Sequence, residues 1–115
     1  MATLTTHVLD TAGGRPAADV AVRLFRLGSG RQLVTSTRTN SDGRTDMPLM
    51  ADDAFEAGTY EIEFDVGTYF ADRDAGHASP PFLGTVLIRV TLAAGEKYHV
   101  PLLVSPWSYS TYRGS

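Results

Sequence analysis

A strict alternation of apolar and polar residues over residues 59–66 constrains the fold more than any other feature of this sequence. The apolar positions are Tyr60, Ile62, Phe64 and Val66, and the polar positions are Thr59, Glu61, Glu63 and Asp65. Successive side chains of a β-strand point to opposite faces, so this period of two predicts a strand with one buried face and one solvated face. Strands of this kind are typical of antiparallel sheets. The chain is therefore expected to be built mainly from sheets.

Five further strands are predicted, each bounded by turn residues. They cover residues 3–11, 20–27, 32–39, 82–92 and 98–104. The second and third of these five form a hairpin through the Gly-Ser-Gly turn between them. Many short strands, with turns at intervals of about ten residues, favour an all-β sandwich.

Three other segments have weaker patterns. Residues 47–57 fit either a short strand with a loop or a helical turn. Residues 67–74 are expected to form a single short helix, since their aromatic residues and Arg73 fit one helical face. Residues 77–81 include two prolines and are expected to be a loop.

The composition is that of an ordinary globular protein: of 115 residues, 43% are hydrophobic and 20% are charged. Residues 1–115 are therefore expected to form one domain. A net charge of -3 does not indicate a protein that binds nucleic acid or acidic membranes, because such proteins usually carry an excess of positive charge. No stretch approaches the roughly 20 apolar residues of a membrane span. The first residues lack a basic start and an apolar signal core, so a cytoplasmic location is expected.

Cysteine is absent, which excludes a thiolate nucleophile and a thiolate metal site. The candidate bases are the three histidines. His77 lies in a loop of Gly, Ala, Ser and Pro and is expected to be solvated. His7 and His99 each lie opposite the more apolar face of a predicted strand. They are plain surface residues unless the fold brings them together. An imidazole that titrates near neutral pH is suited to deprotonating a water.

Arg44 directly follows the turn Asn40-Ser41-Asp42-Gly43, whose residue types accept the backbone angles of a tight turn. A basic residue at the end of a rigid turn has a defined direction. A guanidinium there, or that of Arg113, suits a planar anion or a developing oxyanion. The alternative for each arginine is an ordinary solvated charge.

Other catalytic patterns are missing from the sequence. It contains no Gly-x-Ser-x-Gly turn, no phosphate-binding glycine loop and no His-Glu-x-x-His pair. Asp10 or Asp42 with two histidines would supply metal-ligand types, but their spacing does not match a metal site, so no metal is expected.

The last residues of the chain, 98–115, are rich in aromatic side chains. A disordered tail has few aromatic residues, and rings of this size usually pack. We therefore expect the carboxyl terminus to be held against the body of the protein. Tyr109 and Tyr112 are expected to be packing groups.

Several segments resemble the transthyretin-like family. They are Thr6-His7-Val8-Leu9-Asp10, Gly14-Arg15-Pro16-Ala17, Thr39-Asn40-Ser41-Asp42-Gly43-Arg44, Tyr98-His99-Val100-Pro101-Leu102-Leu103 and Tyr109-Ser110-Thr111-Tyr112-Arg113-Gly114-Ser115. The terminal Tyr-Arg-Gly-Ser resembles the signature of the family's enzymatic branch, the hydroxyisourate hydrolases, and hormone-carrying transthyretins lack it. The terminal Gly-Ser is therefore expected to be native rather than a cloning remnant.

The resemblance implies a transthyretin-like antiparallel β-sandwich that assembles as a homotetramer, a dimer of dimers, with sites for a small-molecule substrate between dimers and no cofactor. It implies hydrolytic opening of the six-membered ring of 5-hydroxyisourate in urate (purine) breakdown. His7, Arg44, His99 and Ser115 are the implied catalytic residues. The implied substrate-binding residues are Tyr112, Arg113 and Gly114.

One position departs from the family pattern, which often has His-Tyr-His where this chain has Lys97-Tyr98-His99. Lys97 shares a strand face with His99 and is expected near the mouth of the site. Two other functions stay open. One is a transthyretin-type carrier of a small aromatic ligand; the other is a structural adhesion-type sandwich, for which His7, Arg44 and His99 are dispensable.

Overall fold

The computed structural model describes residues 2–73 and 80–114. Within that part of the chain, nine strands form two sheets, and one short α-helix and one turn of 3-10 helix (Asp52–Ala54) accompany them. The elements are β1 (Thr3–Asp10), β2 (Arg15–Pro16), β3 (Ala21–Leu27), β4 (Arg31–Arg38), β5 (Met50–Ala51), β6 (Gly58–Asp65), α1 (Val66–Asp72), β7 (Thr85–Leu92), β8 (Lys97–Val104) and β9 (Tyr109–Thr111). The predicted all-β sandwich with one short helix is confirmed.

The first sheet has the strand order β2-β1-β8-β9, with β5 also pairing with β1, and the second has the order β4-β3-β6-β7. Every pairing is antiparallel except that of β1 with β8, which is parallel along the whole of both strands. This parallel pair joins the two ends of the chain. It also places the two histidine-bearing strands side by side.

The core lies between the inner faces of the two sheets. Its fully buried members include Leu4, Val8, Val22, Leu24, Tyr60, Ile62, Phe64, Val86 and Leu102. These residues occupy alternate positions of their strands, as the period of two predicts. Burying each large apolar side chain contributes about 1.5–3 kcal/mol of folding free energy. On β1 the other face is only half-buried, which leaves its side chains at the surface of the first sheet.

Glu61 corrects the prediction of a wholly solvated face on β6, because this residue is only 5% exposed. Arg31 and Arg89 cover its carboxylate, with nitrogen–oxygen distances of 2.9 and 2.8 Å. Hydrogen bonds from Arg89 and then from Arg31 hold the pKa of Glu61 below its ordinary value. The alternation of side chains is as predicted, and ion pairs rather than water cover this polar position.

Several boundaries differ from the predictions. Residues 47–57 contain both alternatives, a two-residue strand (β5) and the 3-10 turn. The predicted helix begins one residue earlier, and the carboxylate of Asp65 caps it by accepting the N–H of Thr68 at 3.3 Å. The strand predicted from residue 82 begins at Thr85. The predicted loop that contains His77 lies mostly outside the described residues.

The C-terminal segment is held against the first sheet by its main chain. β9 pairs with β8, and the N–H of Gly114 donates to the carbonyl of His99 at 2.7 Å. The predicted docking is therefore confirmed. The prediction that the rings pack is confirmed for Tyr98, which packs against the core. It is wrong in this single chain for the other three rings, since Trp107, Tyr109 and Tyr112 are 57%, 46% and 60% exposed.

The helices of the described residues are too short or too polar to cross a membrane.

Candidate active site

The outer face of the first sheet brings His7 and His99 together. The parallel register of β1 and β8 sets Thr5 opposite His99 and Thr3 opposite Lys97. Residues opposite one another in a sheet share a face, and so do residues two apart on one strand. His7 therefore lies on the same face as His99, two residues along the neighbouring strand. This convergence distinguishes the pair from unrelated surface histidines.

Arg44 is fixed beside His7 by the turn that precedes it. The side-chain oxygen of Asn40 accepts the backbone N–H groups of Asp42 and Arg44 at 2.9 and 3.2 Å, and the N–H of Asn40 donates to the carbonyl of Arg44 at 2.7 Å. Gly43 has a φ of 76°, and its carbonyl accepts the N–H of Val8 at 2.8 Å. Arg44 then forms a β-bridge with His7. The predicted turn before Arg44 is confirmed.

Gly114 completes the row on the far side of β8, where it forms a β-bridge with His99. Across the outer face the order is thus Arg44, His7, His99 and Gly114. Two of these positions come from strands and two from segments docked beside them.

In the part of the chain that the structure describes, the rings of His7 and His99 each make one hydrogen bond, through different ring nitrogens. Nε2 of His7 lies 2.9 Å from the carbonyl oxygen of Asp42. A carbonyl only accepts, so Nε2 of His7 donates, and in the neutral ring Nδ1 carries the lone pair. Nδ1 of His99 lies 2.8 Å from Oγ1 of Thr5.

The surroundings of His99 favour its neutral form. Burial lowers the pKa of His99 from its ordinary value of 6.5, and the positive charge of Arg44 and then coupling to His7 lower it further. These causes act against the charged imidazolium. These surroundings therefore favour the form of His99 that can accept a proton.

A surface depression of about 370 Å³, a size suited to a small molecule, includes two members of this row, Arg44 and His99. It is lined by Thr3, Thr5, Arg44, Lys97, Tyr98 and His99. Among the described residues, no carboxylate lies within ion-pair distance of Arg44 or Lys97. The described part of the lining therefore carries the positive charges of Arg44 and Lys97, which suit an anion or an electron-rich ring.

The remaining predicted site residues lie elsewhere or outside the described residues. Tyr112 and Arg113 line a second depression of about 310 Å³ with residues of β7. Arg113 donates to Glu96 Oε1 at 3.1 Å and to the carbonyl of Lys97 at 3.2 Å, and its guanidinium lies 4.2 Å from the centre of the Tyr98 ring. Ser115 falls outside the described residues. Within the described residues, no group of three or more His, Asp or Glu side chains is arranged to hold a metal.

Thr5 is the site residue to which the sequence assigned no role. The alternation along β1 places Thr5 on the face of His7, but its contact with His99 spans 94 residues. That contact depends on the parallel pairing of β1 with β8. No local pattern shows such a pairing.

Comparison with known proteins shows similarity to one family along nearly the whole chain. The model of the HIUase/Transthyretin family matches residues 4–114. A 5-hydroxyisourate hydrolase of Ralstonia nicotianae is 52% identical, and the match covers 100% of both chains. Another protein of that name, from Deinococcus radiodurans, is 55% identical over 97% of this chain and 95% of its own.

Solved structures share the fold. Klebsiella pneumoniae 5-hydroxyisourate hydrolase has a TM-score of 0.83 at 32% identity, with 100% of both chains covered. A sea bream transthyretin in complex with thyroxine has a TM-score of 0.87 at 26% identity, covering 97% of this chain and 94% of that one. (S)-allantoin synthase has a TM-score of 0.93 at 44% identity over 99% of this chain, which spans 44% of the synthase chain. The chain belongs to the HIUase/Transthyretin family.

Proposed function

We propose that this protein is a 5-hydroxyisourate hydrolase, which opens the six-membered ring of its substrate to 2-oxo-4-hydroxy-4-carboxy-5-ureidoimidazoline in urate catabolism. The observation that carries the proposal is the convergence of His7, Arg44 and His99 on the outer face of the first sheet, where Arg44 and His99 line one depression. Full-length relatives at 52% and 55% identity carry the same enzyme name. The activity requires a base and an anion-stabilising group, and this depression supplies both.

The reaction adds one water across a ring amide. His99 takes a proton from the water as its oxygen attacks the ring carbonyl, with His7 orienting that water. Arg44 holds the planar substrate and stabilises the tetrahedral oxyanion. The C–N bond then breaks, the imidazolium returns its proton to the departing ring nitrogen, and the former carbonyl carbon becomes a carboxylic acid that releases its proton to solvent. Atoms and charges balance without a cofactor.

The C-terminal residues complete the proposed site. Ser115, through its hydroxyl or its carboxylate, orients water or substrate, while Tyr112, Arg113 and Gly114 bind the substrate. In the single chain Tyr112 is 60% exposed and lies in a different depression from His99. We propose a homotetramer, a dimer of dimers, in which Tyr112 and Arg113 of one chain line a site with the histidines of another. The exposed rings of the C-terminal segment support such an interface.

A carrier function is the alternative, because a transthyretin with bound thyroxine has the same fold. Two observations favour the hydrolase. The sea bream carrier is only 26% identical, against 52% and 55% for the two hydrolases. The depression also contains Arg44, Lys97 and His99, and an apolar ligand gains little from these polar groups.

A coupled assay tests the proposal. Urate and urate oxidase generate 5-hydroxyisourate, whose ultraviolet decay is followed with and without this protein. A parallel sample carries a few residues appended after Ser115. We expect the native chain to accelerate decay and the extended chain to do so poorly. Acceleration by both would keep the enzyme and remove the role of the terminus, and a folded native protein without acceleration would contradict the proposed function.

The proposal also includes an oligomeric state and a location in the cell. Size measurement in solution tests the tetramer, and fractionation of producing cells tests the cytoplasmic location.

A further inference from the structure

We propose that Thr5 is a positioning residue that fixes the tautomer of His99, holding hydrogen on Nδ1 and leaving the lone pair on Nε2 to act as the base. The part that concerns the base rests on the proposed function. The tautomer itself does not, because it is a property of the resting protein.

Within residues 2–73 and 80–114, the Thr5 hydroxyl has two hydrogen-bond contacts, and it carries one hydrogen. Oγ1 lies 2.8 Å from Nδ1 of His99 and 3.4 Å from the carbonyl oxygen of Tyr98. A carbonyl only accepts, so the second contact is a hydrogen bond only when the hydroxyl donates to it. Oγ1 then offers a lone pair to the imidazole, and Nδ1 must carry hydrogen. The contacts of Oγ1 with Tyr98 and with His99 are both hydrogen bonds only when the hydroxyl donates to the Tyr98 carbonyl and Nδ1 of His99 donates to Oγ1.

The backbone keeps the hydroxyl in place. Thr5 lies on β1 directly opposite His99 on β8, with paired residues on both sides of it. A β-branched side chain on a strand has restricted rotation about its first bond. The Thr5 hydroxyl is therefore presented to the imidazole by a fixed strand pair rather than by a loop.

Gly114 restricts the ring from another side. A β-carbon built on Gly114 would lie 2.7 Å from Cδ2 of His99, so the ring edge lies close against this backbone. One hydrogen bond at Nδ1 and one close backbone neighbour together fix the ring plane. Among the described residues, no hydrogen bond engages Nε2 of His99.

His7 is held in the opposite tautomer. Its Nε2 donates to the carbonyl of Asp42, so its hydrogen lies on the nitrogen that bears the lone pair in His99. The two imidazoles therefore present different ring nitrogens as acceptors. Among the described residues, the titratable groups that face His99 are Arg44 beside β1, His7 on β1 and Lys97 on β8.

The experiment compares Thr5→Val, Thr5→Ser and the matched control Thr35→Val with the wild-type full chain. Valine keeps the shape of threonine and removes the hydroxyl, while serine keeps the hydroxyl. Thr35 is a half-buried strand residue of the second sheet, without a side-chain hydrogen bond among the described residues. Nitrogen-15 spectra of the imidazoles, recorded above pH 7 without substrate, identify the protonated nitrogen of His99.

We expect hydrogen on Nδ1 of His99 in the wild type, Thr5→Ser and Thr35→Val, and a shift of hydrogen towards Nε2 in Thr5→Val. We also expect Thr5→Val to lower kcat by about 3- to 10-fold with KM nearly unchanged, the effect of one ordinary hydrogen bond. Thr5→Ser should recover most of that loss.

A wild-type His99 with hydrogen on Nε2 would overturn the proposal, and so would an unchanged tautomer in Thr5→Val. If Thr5→Val does not fold, the wild-type spectrum alone decides. Absence of turnover in the wild type, with the expected tautomer present, would instead contradict the proposed function.

Discussion

Gly114 lies against the imidazole of His99, so closely that a β-carbon on Gly114 would stand 2.7 Å from Cδ2 and 3.3 Å from Cβ and Cγ of the histidine. The same glycine donates its N–H to the His99 carbonyl. The C-terminal segment is therefore packed directly against an imidazole of the candidate site. Any side chain at this position must displace either the ring or the segment.

Gly114→Ala should lower kcat by about 10²-fold, because a displacement of roughly 1 Å at a reacting group has an effect of that size. The melting temperature should change little, since the segment lies at the surface. Gly30→Ala is the matched control, because a β-carbon there meets no atom within 4 Å. Steady-state kinetics on both variants checks the prediction, and equal activity of the two would contradict it.

Arg44→Lys should lower kcat/KM by about 10-fold and Arg44→Gln by about 10²- to 10³-fold, the range found when one oxyanion donor is removed. Lysine keeps the charge but loses the planar fork that binds two oxygens at once. The loss is measured with 5-hydroxyisourate generated in the cuvette. A glutamine variant as fast as the wild type would remove Arg44 from the mechanism.

The pKa of His99 should rise in Arg44→Gln. Burial is the largest cause of its lowered pKa, and the charge of Arg44 is the next. Removing that positive charge lets the imidazole bind a proton at higher pH, so the acid limb of the kcat/KM profile should move to higher pH. Proton NMR titration of His99 measures the shift. Arg38→Gln, an exposed arginine of the second sheet, is the control and should leave His99 unchanged.

The same pKa predicts how stability depends on pH. The folded pKa of His99 lies below its ordinary value of 6.5, so the unfolded chain binds the proton more readily. The contribution of His99 to stability is present above pH 6.5 and is lost as the pH falls through the folded pKa. Denaturant unfolding between pH 7 and pH 5 should show a smaller loss in His99→Asn than in the wild type. An equal loss in both proteins would contradict this assignment.

Gly43→Ala should destabilise the fold and lower activity together. Gly43 has a φ of 76°, and an added β-carbon would contact the carbonyl oxygen of Val8. The left-handed conformation alone costs a non-glycine residue about 1–2 kcal/mol. Gly14→Ala isolates that cost, because Gly14 has a φ of 68° with nothing within 4 Å of an added β-carbon. Urea unfolding should therefore show a larger loss at position 43, and equal losses would contradict the contact.

Local patterns in the sequence predict most of the fold, because strand alternation and turn chemistry act over a few residues. The β3–β4 hairpin, β6 and the turn before Arg44 are of this kind. The parallel pairing of β1 with β8 is not, since it joins segments more than 90 residues apart. Glu61 shows another limit: its burial depends on Arg31 and Arg89 from two other strands.

The candidate site divides in the same way. The residues alone identify His7, Arg44 and His99 as candidates, and only the sheet register shows that they converge. Thr5 and Gly114 act through contacts with His99 across the sheet, so their positions in the sequence indicate no role with that ring. The exposure of Tyr112 follows neither from residue types nor from the sheet register. It concerns a surface that the single chain leaves uncovered.

The most direct test of the account is the rate of 5-hydroxyisourate ring opening by His99→Asn beside the wild type, with folding and oligomeric state verified for both. General-base catalysis by His99 predicts that kcat falls by about 10²- to 10⁴-fold in the variant. A folded His99→Asn protein that opens the ring at the wild-type rate would contradict the account.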